Sequence, residues 1–381
     1  MAYPSVDELQ KLLTKEVFHY AQDSKKAAGR ALGTLVEVIT FYLLQAWGLG
    51  ESIAIERGLA EYGNPGIKHN VEYSLHPVTY RKSILLRDIQ PPLTMAKLAK
   101  LLCDAIPDLD QCTRSSNVLL TRAGVYRNCC VLAVNENQVH MCLIEKISKG
   151  DVTLNLVGQH KKPYAMFECK RVGIEEGNKK GPQTIEKAKQ GAYVARTVSA
   201  LQRVRLASGD LQAVMPRGDG SLYVKPYGEM MQEIIETSSA DLLRDFVLTV
   251  GVVSNHGNWF TSGDQNKELM VLGQSYDWLL FLTDAGLAEF VQDVLISPKP
   301  ALQPAKTAFL ESYPKQKKKG NCFTKVQMQI EADAALQQYF ATNLCQIESW
   351  FNIIAPPNQT IAVLREQIQK LAGKDWRSIL T

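Results

Sequence analysis

The chain has 381 residues, 45% hydrophobic and 22% charged, with no low-complexity tract or repeat, which is the composition of a globular protein with enough apolar material for one large domain or two ordinary ones. A formal net charge of +4 admits a polyanionic partner through a local patch but does not demand one. Eight cysteines without a C-x-x-C pair, two of them the vicinal Cys129 and Cys130, argue against zinc fingers and a disulfide scaffold and for reduced thiols.

The opening MAYPSVDELQKLL has neither the basic stretch nor the apolar run of a secretory signal, so a soluble, cytoplasmic protein without membrane association is expected. Residues 5 to 49 read as helices. The second runs from about Ser24 to Gly48, with Leu32, Leu35, Val36, Ile39, Leu43 and Leu44 as its buried stripe and Glu37 beside that stripe. The apolar stretch Leu35 to Leu49, broken by Glu37, Thr40 and Gln45, is too short to span a bilayer. Glycines and prolines then punctuate the chain to Thr113, with a helix expected near Thr94 to Ala105. Within this part, IKHNVEYSLHPVTYRK carries His69, Asn70, His76, Arg81 and Lys82, side chains suited to bordering DNA. Its two histidines lack a third ligand for zinc.

Val118 to Leu120 and Val125 to Ile147 are β-rich and lead to two strands rich in charge. In Asp151 to Val157, Val152, Leu154 and Leu156 alternate with Asp151, Thr153 and Asn155. In Pro163 to Arg171, PYAMFECKR, the period of two sends Glu168 and Lys170 to one face and Phe167 and Cys169 to the other. The link GQHKKP is turn-like, so the two strands are expected to form a β-hairpin. An odd register sum near 320 brings Asp151 opposite Glu168 or Lys170, and two carboxylates and an ammonium then converge. Glu136 and Glu145 are rival carboxylates for the place of Asp151. A chain of this length holds about one or two acid-x-Lys triplets by chance, and the other one, Asp23-Ser24-Lys25, sits in a polar run. For Glu168 and Lys170 the plain alternative is a salt bridge at a sheet edge.

Asp151 followed by Glu168-Cys169-Lys170 on adjacent strands resembles the site of the PD-(D/E)XK nuclease superfamily, which includes the type II restriction endonucleases; here Gly150 stands where the motif has proline. The resemblance covers roughly residues 30 to 205. It implies an α/β fold, a mixed β-sheet flanked by helices with N- and C-terminal additions, and Mg2+-dependent hydrolysis of phosphodiester bonds. Asp151, Glu168 and the carbonyl of Cys169 would hold the metal, Glu37 on the first core helix would reach it through water, and Lys170 would orient the attacking water. Gln190, on the helix after the acid-x-Lys strand, would extend the site.

After the lysine a Gly- and Lys-rich loop opens a helix at about Pro182. Lys179, Lys180, Gln183 and Lys187 are placed to meet phosphates there, with Lys189, Arg196, Arg203 and Arg205 further along the same helix and Tyr193 on the face of Gln190. MPRGDGSLYVKPYG reads as a loop. In NHGNWFTSGDQNKE, Asn255, His256 and Asn258 are candidates to read base edges, and in SYPKQKKKGN, Lys317 and Lys318 are candidates for backbone phosphates. Helices are expected over about Val326 to Ile353 and Ile361 to Ala372. The organisation expected is an N-terminal helical region (1–115) that contributes the first core helix, a catalytic core (116–205) and a C-terminal recognition and dimerisation region (206–381), or one continuous domain. By resemblance the chain is a sequence-specific double-strand DNA endonuclease, acting on a two-fold site as a homodimer. A structure-specific repair or recombination nuclease and a non-catalytic DNA-binding protein are the alternatives.

Overall fold

The computed structural model describes residues 6–21, 23–58, 70–106, 109–148, 150–171, 191–254, 262–263, 267–313 and 321–380. The first helix, α1 (Val6–Glu16), packs on α2 (Ser24–Ala46). Asp23 caps α2 by accepting a hydrogen bond from the Lys26 amide at 3.0 Å, so the aspartate of the second acid-x-Lys triplet has a structural role. The helix ends where Gly48 takes φ +80°, a conformation that glycine adopts without a steric penalty. At 23 residues α2 is long and apolar enough to cross a bilayer by composition. Here it is mostly buried within the fold, and each of its fully buried leucines and isoleucines stabilises the fold by about 1.5–3 kcal/mol.

The fold is mixed α/β, and its centre is a six-stranded sheet: β1 (Ile53–Ile55), β2 (Tyr73–Leu75), β3 (Ala165–Arg171), β4 (Leu248–Ser254), β5 (Trp278–Leu282) and β6 (Phe351–Ala355), in that spatial order. β2 is antiparallel to both β1 and β3; β3, β4 and β5 run parallel, and β6 turns back. β4 and β5 are buried at every residue, as the predominantly apolar sequences LTVGVVS and WLLFL suit in parallel strands covered on both faces. One face carries Phe167, Cys169, Val250 and Val252 into the core shared with α2. The other carries Met166 and Val253 against Ala192, Ala195 and Val198 of α3, a helix over 191–198.

The central sheet draws strands from all three expected regions, so boundaries at 115 and 205 cut through a single layer. The chain leaves it after β2, builds a second, antiparallel sheet, and returns at β3. That sheet has the strand order Val78–Leu86, Asp151–His160, Gln138–Ser148, Cys130–Val134, Thr113–Arg114. The strand Asp151–His160 is therefore not the hairpin partner of β3. It pairs with Gln138–Ser148 on one side and Val78–Leu86 on the other. Ser148 pairs with Asp151, and Gly150 just before Asp151 takes φ +92°, so the hairpin closes ahead of Asp151 and not at GQHKKP.

Other expectations are corrected more locally. The stretch read as a loop at MPRGDGSLYVKPYG forms two strands, Leu211–Pro216 and Leu222–Pro226, of a three-stranded sheet. Arg203 and Arg205 lie on its third strand, Gln202–Arg205, rather than on a helix. Arg203 is used structurally, donating to Asp277 at 2.8 Å and to the Tyr227 hydroxyl at 2.6 Å. The run expected as one helix from Val326 divides into the strand Gln327–Gln329, the helices Ile330–Thr342 and Leu344–Glu348, and β6; Ile361–Ala372 is helical as expected.

Candidate active site

The registers of β1, β2 and β3 line up three carboxylates. Ile55 pairs with Tyr73 and Tyr73 with Phe167, and one further step along each ladder sets Glu56, Glu72 and Glu168 abreast, with strands about 4.8 Å apart. The Glu56 amide still donates to the Glu72 carbonyl at 3.1 Å. The Glu72 amide instead donates to Oε2 of the Glu168 side chain at 3.2 Å, so the ladder ends on a carboxylate. Glu56 has φ +48°, which turns the chain away at this level.

Glu168 is 1% exposed, and its Oε1 lies 2.6 Å from Nζ of Lys170, the next residue on the same face. A second ammonium approaches from a distant part of the chain. Lys325, 4% exposed, is 2.9 Å from Glu56 and 3.2 Å from Glu37 and also contacts Glu72. Its backbone is fixed: Asn128 donates to the Lys325 carbonyl at 2.8 Å and to the Val326 carbonyl at 2.9 Å, and buried Phe323 and Met328 bridge beside it. Among the described residues, four carboxylates thus gather around two ammonium groups, with Glu168 and Glu72 buried and Glu37 and Glu56 nearer the surface.

The wall of the site depends on two glycines. A Cβ on Gly191, the first described residue of α3, would lie 2.2 Å from Cγ of Glu168, so only glycine lets α3 sit this close. Gly251 is the register partner of Glu168 on β4, and its missing side chain is replaced by the Tyr276 ring. Burial raises the Tyr276 phenol well above its ordinary value, with the Glu168 charge acting in the same direction, so the hydroxyl remains protonated beside the carboxylate. Burial likewise pushes up the Cys169 thiol on the opposite face, which keeps it a neutral thiol in the core.

Of the residues expected at the site, the structure brings Glu37, Glu168 and Lys170 into one neighbourhood. Glu37 pairs with Lys325 rather than with Arg30 or Lys26. Asp151 lies elsewhere. It begins a strand of the other sheet, where it accepts a hydrogen bond from the Asp88 amide at 3.1 Å, about 30 Å along that strand from His160 at a rise of ~3.3 Å per residue. The rivals Glu136 and Glu145 are exposed on that same sheet and its turn. Arg196 and Tyr193 stand on the solvent side of α3. Lys179, Lys180, Gln183, Lys187, Gln190, Asn255, His256, Asn258, Lys317 and Lys318 lie outside the described residues, as does His69.

Glu72, Glu56 and Lys325 were missed. Glu72 had a legible signal, because Val71, Tyr73 and Leu75 alternate with Glu72 and Ser74 in the period of a strand. Lys325 had none, since nothing local marks a lysine that points inward. No protein-family model matches the chain, and comparison with curated proteins and with solved structures finds no match either.

The residues fit a hard divalent cation in chemistry: the donors are carboxylate oxygens, and among the described residues they outnumber the ammonium groups beside them. Among the described residues, however, no three histidine, cysteine, aspartate or glutamate side chains close around one point by themselves. The point toward which Glu37, Glu56 and Glu72 turn is the Lys325 ammonium.

Proposed function

We propose that the chain is a Mg2+-dependent endonuclease that cuts double-stranded DNA at a specific sequence. The observation that carries this reading is the buried Glu168, bonded to the Glu72 amide and paired with Lys170 beside a row of carboxylates. A buried carboxylate cluster is costly unless it serves a cation. Glu72 and Glu168, with the carbonyl of Cys169, would hold the metal, and Glu37 would reach it through water; Glu72 stands in the role first expected of Asp151. Bound there, the metal would acidify a water and offset charge on the phosphate. Lys170, held by Glu168 and about a quarter exposed, would orient that water and meet the charge that develops on the phosphoryl oxygens. Glu168 would be kept in place by the Glu72 amide and by the close approach of α3. Recognition of a two-fold site would call for a homodimer, and the substrate would place the protein in the cytoplasm.

The test is incubation of the purified chain with unmethylated phage DNA, with Mg2+ and with EDTA, beside Glu168→Gln and Lys170→Met. Discrete fragments that need both Mg2+ and the two residues are expected, with a loss of about 10^3-fold in either variant. Cleavage only at branched DNA would instead indicate a structure-specific nuclease. Binding that ignores EDTA, with no cleavage of any DNA, would indicate a non-catalytic DNA-binding protein.

A further inference from the structure

We propose that Lys325 is a displaceable internal counter-ion: its ammonium holds the carboxylates of Glu37, Glu56 and Glu72 together and leaves Glu72 when a divalent cation binds. The inference rests on the metal-dependent reading of the site. A lysine only 4% exposed is unfavourable unless paired, and the three glutamates supply that pairing at 3.2 Å, 2.9 Å and in direct contact. The converse also holds, because without the ammonium Glu37, Glu56 and Glu72 would lose the positive charge they share. A hard dication and an ammonium both seek the Glu72 oxygens, and like charges do not share them, so each weakens the binding of the other by the same factor.

The anchoring suits an exchange. Asn128 and the bridge of Phe323 with Met328 fix the backbone around Lys325, while the four-carbon stem that carries the charge can swing. The fold then keeps a preformed set of carboxylates intact without metal and lowers its metal affinity.

The experiment is Mn2+ binding to the full chain, followed by electron paramagnetic resonance, for wild type, Lys325→Met and Lys325→Arg. Removing the competing charge should tighten Mn2+ binding by about tenfold or more in Lys325→Met, while Lys325→Arg keeps the wild-type affinity. Equal or weaker binding in Lys325→Met overturns the counter-ion role and, if wild type still binds Mn2+ and cuts DNA, leaves the nuclease reading standing. Absence of Mn2+ binding in wild type and Lys325→Met alike, together with absence of cleavage, overturns both. Reductive methylation of the wild-type chain, read by mass spectrometry, covers the case in which Lys325→Met does not fold. Lys325 should be protected without metal and labelled at saturating Mn2+, and protection under both conditions overturns the inference.

Discussion

The strands Asp151–His160 and Ala165–Arg171 are neighbours in the chain, and each carries an acid in a period-two pattern, yet only one of them builds the candidate site. Asp151–His160 is paired on both sides by antiparallel strands, and its acid lies at the open end, partly exposed and bonded to a turn amide. Ala165–Arg171 lies in the middle of the mixed sheet, with α2 under one face and α3 over the other, and its acid is completely enclosed. A carboxylate at a sheet end is solvated and needs no further explanation. One buried between a helix and a row of other carboxylates does need one, and the Lys170 ammonium at 2.6 Å is the first part of it.

The sharpest way to break this comparison is to neutralise one acid on each side, Glu72 beside Glu168 in the central sheet and Asp151 in the second sheet. Glu72→Gln should lower DNA cleavage by about 10^2-fold or more, comparable to loss of one preorganised electrostatic contact. Asp151→Asn should cut DNA as wild type does and stay within about 0.5 kcal/mol of its stability. Cleavage rates measured side by side decide it, and a dead Asp151→Asn would return that residue to the site.

Two glycines sharpen the contrast at smaller amplitude. Gly191→Ala drives a methyl into Glu168, and Gly158→Ala drives one into the Tyr80 ring at 2.3 Å in the second sheet. Both should destabilise by about 1–3 kcal/mol in urea unfolding, the ordinary cost of overpacking. Only Gly191→Ala should also abolish cleavage under conditions in which the protein is fully folded.

The junction between the two sheets provides the smallest effect. His76 is where the chain leaves the central sheet. Its Nδ1 donates to the His160 carbonyl at 2.9 Å, so its Nε2 accepts from the Ser74 hydroxyl at 2.7 Å, which is the neutral form. Burial first, and the Arg57 charge second, lower its pKa well below 6.5. Below pH 6.5 the unfolded chain binds the proton that the native state refuses, so the native state loses stability as pH falls, by about 1.4 kcal/mol per pH unit for this one group. His140 and His160, lowered chiefly by burial, act in the same direction. Urea midpoints at pH 7.5 and pH 5 should therefore fall toward acid, and fall less in His76→Gln; an identical drop in the variant would remove His76 as the cause.

Much of the fold's local grammar was legible. The helix Ser24–Ala46 was framed by Asp23 and Gly48, the alternation of Val152, Leu154 and Leu156 marked a strand, and PYAMFECKR marked another with Glu168 and Lys170 on one face. The pairing of these strands was not. GQHKKP looked like a turn, but Asp151 pairs back with Ser148 instead, and a single such choice moved Asp151 out of the site. Glu72 could have been read from its alternation, although its strand is only three residues long.

The sequence by itself determined an α/β chain, a buried amphipathic helix carrying Glu37, and a strand on which an acid and a lysine share a face, because each follows from periodicity within a few residues. Tertiary structure alone decided which carboxylates meet. Glu56, Glu72 and Glu168 come abreast through ladder register between strands far apart in sequence, and Lys325 arrives from near the other end of the chain. Such contacts depend on how whole sheets and helices bury their apolar faces against one another, and no local pattern encodes that sum.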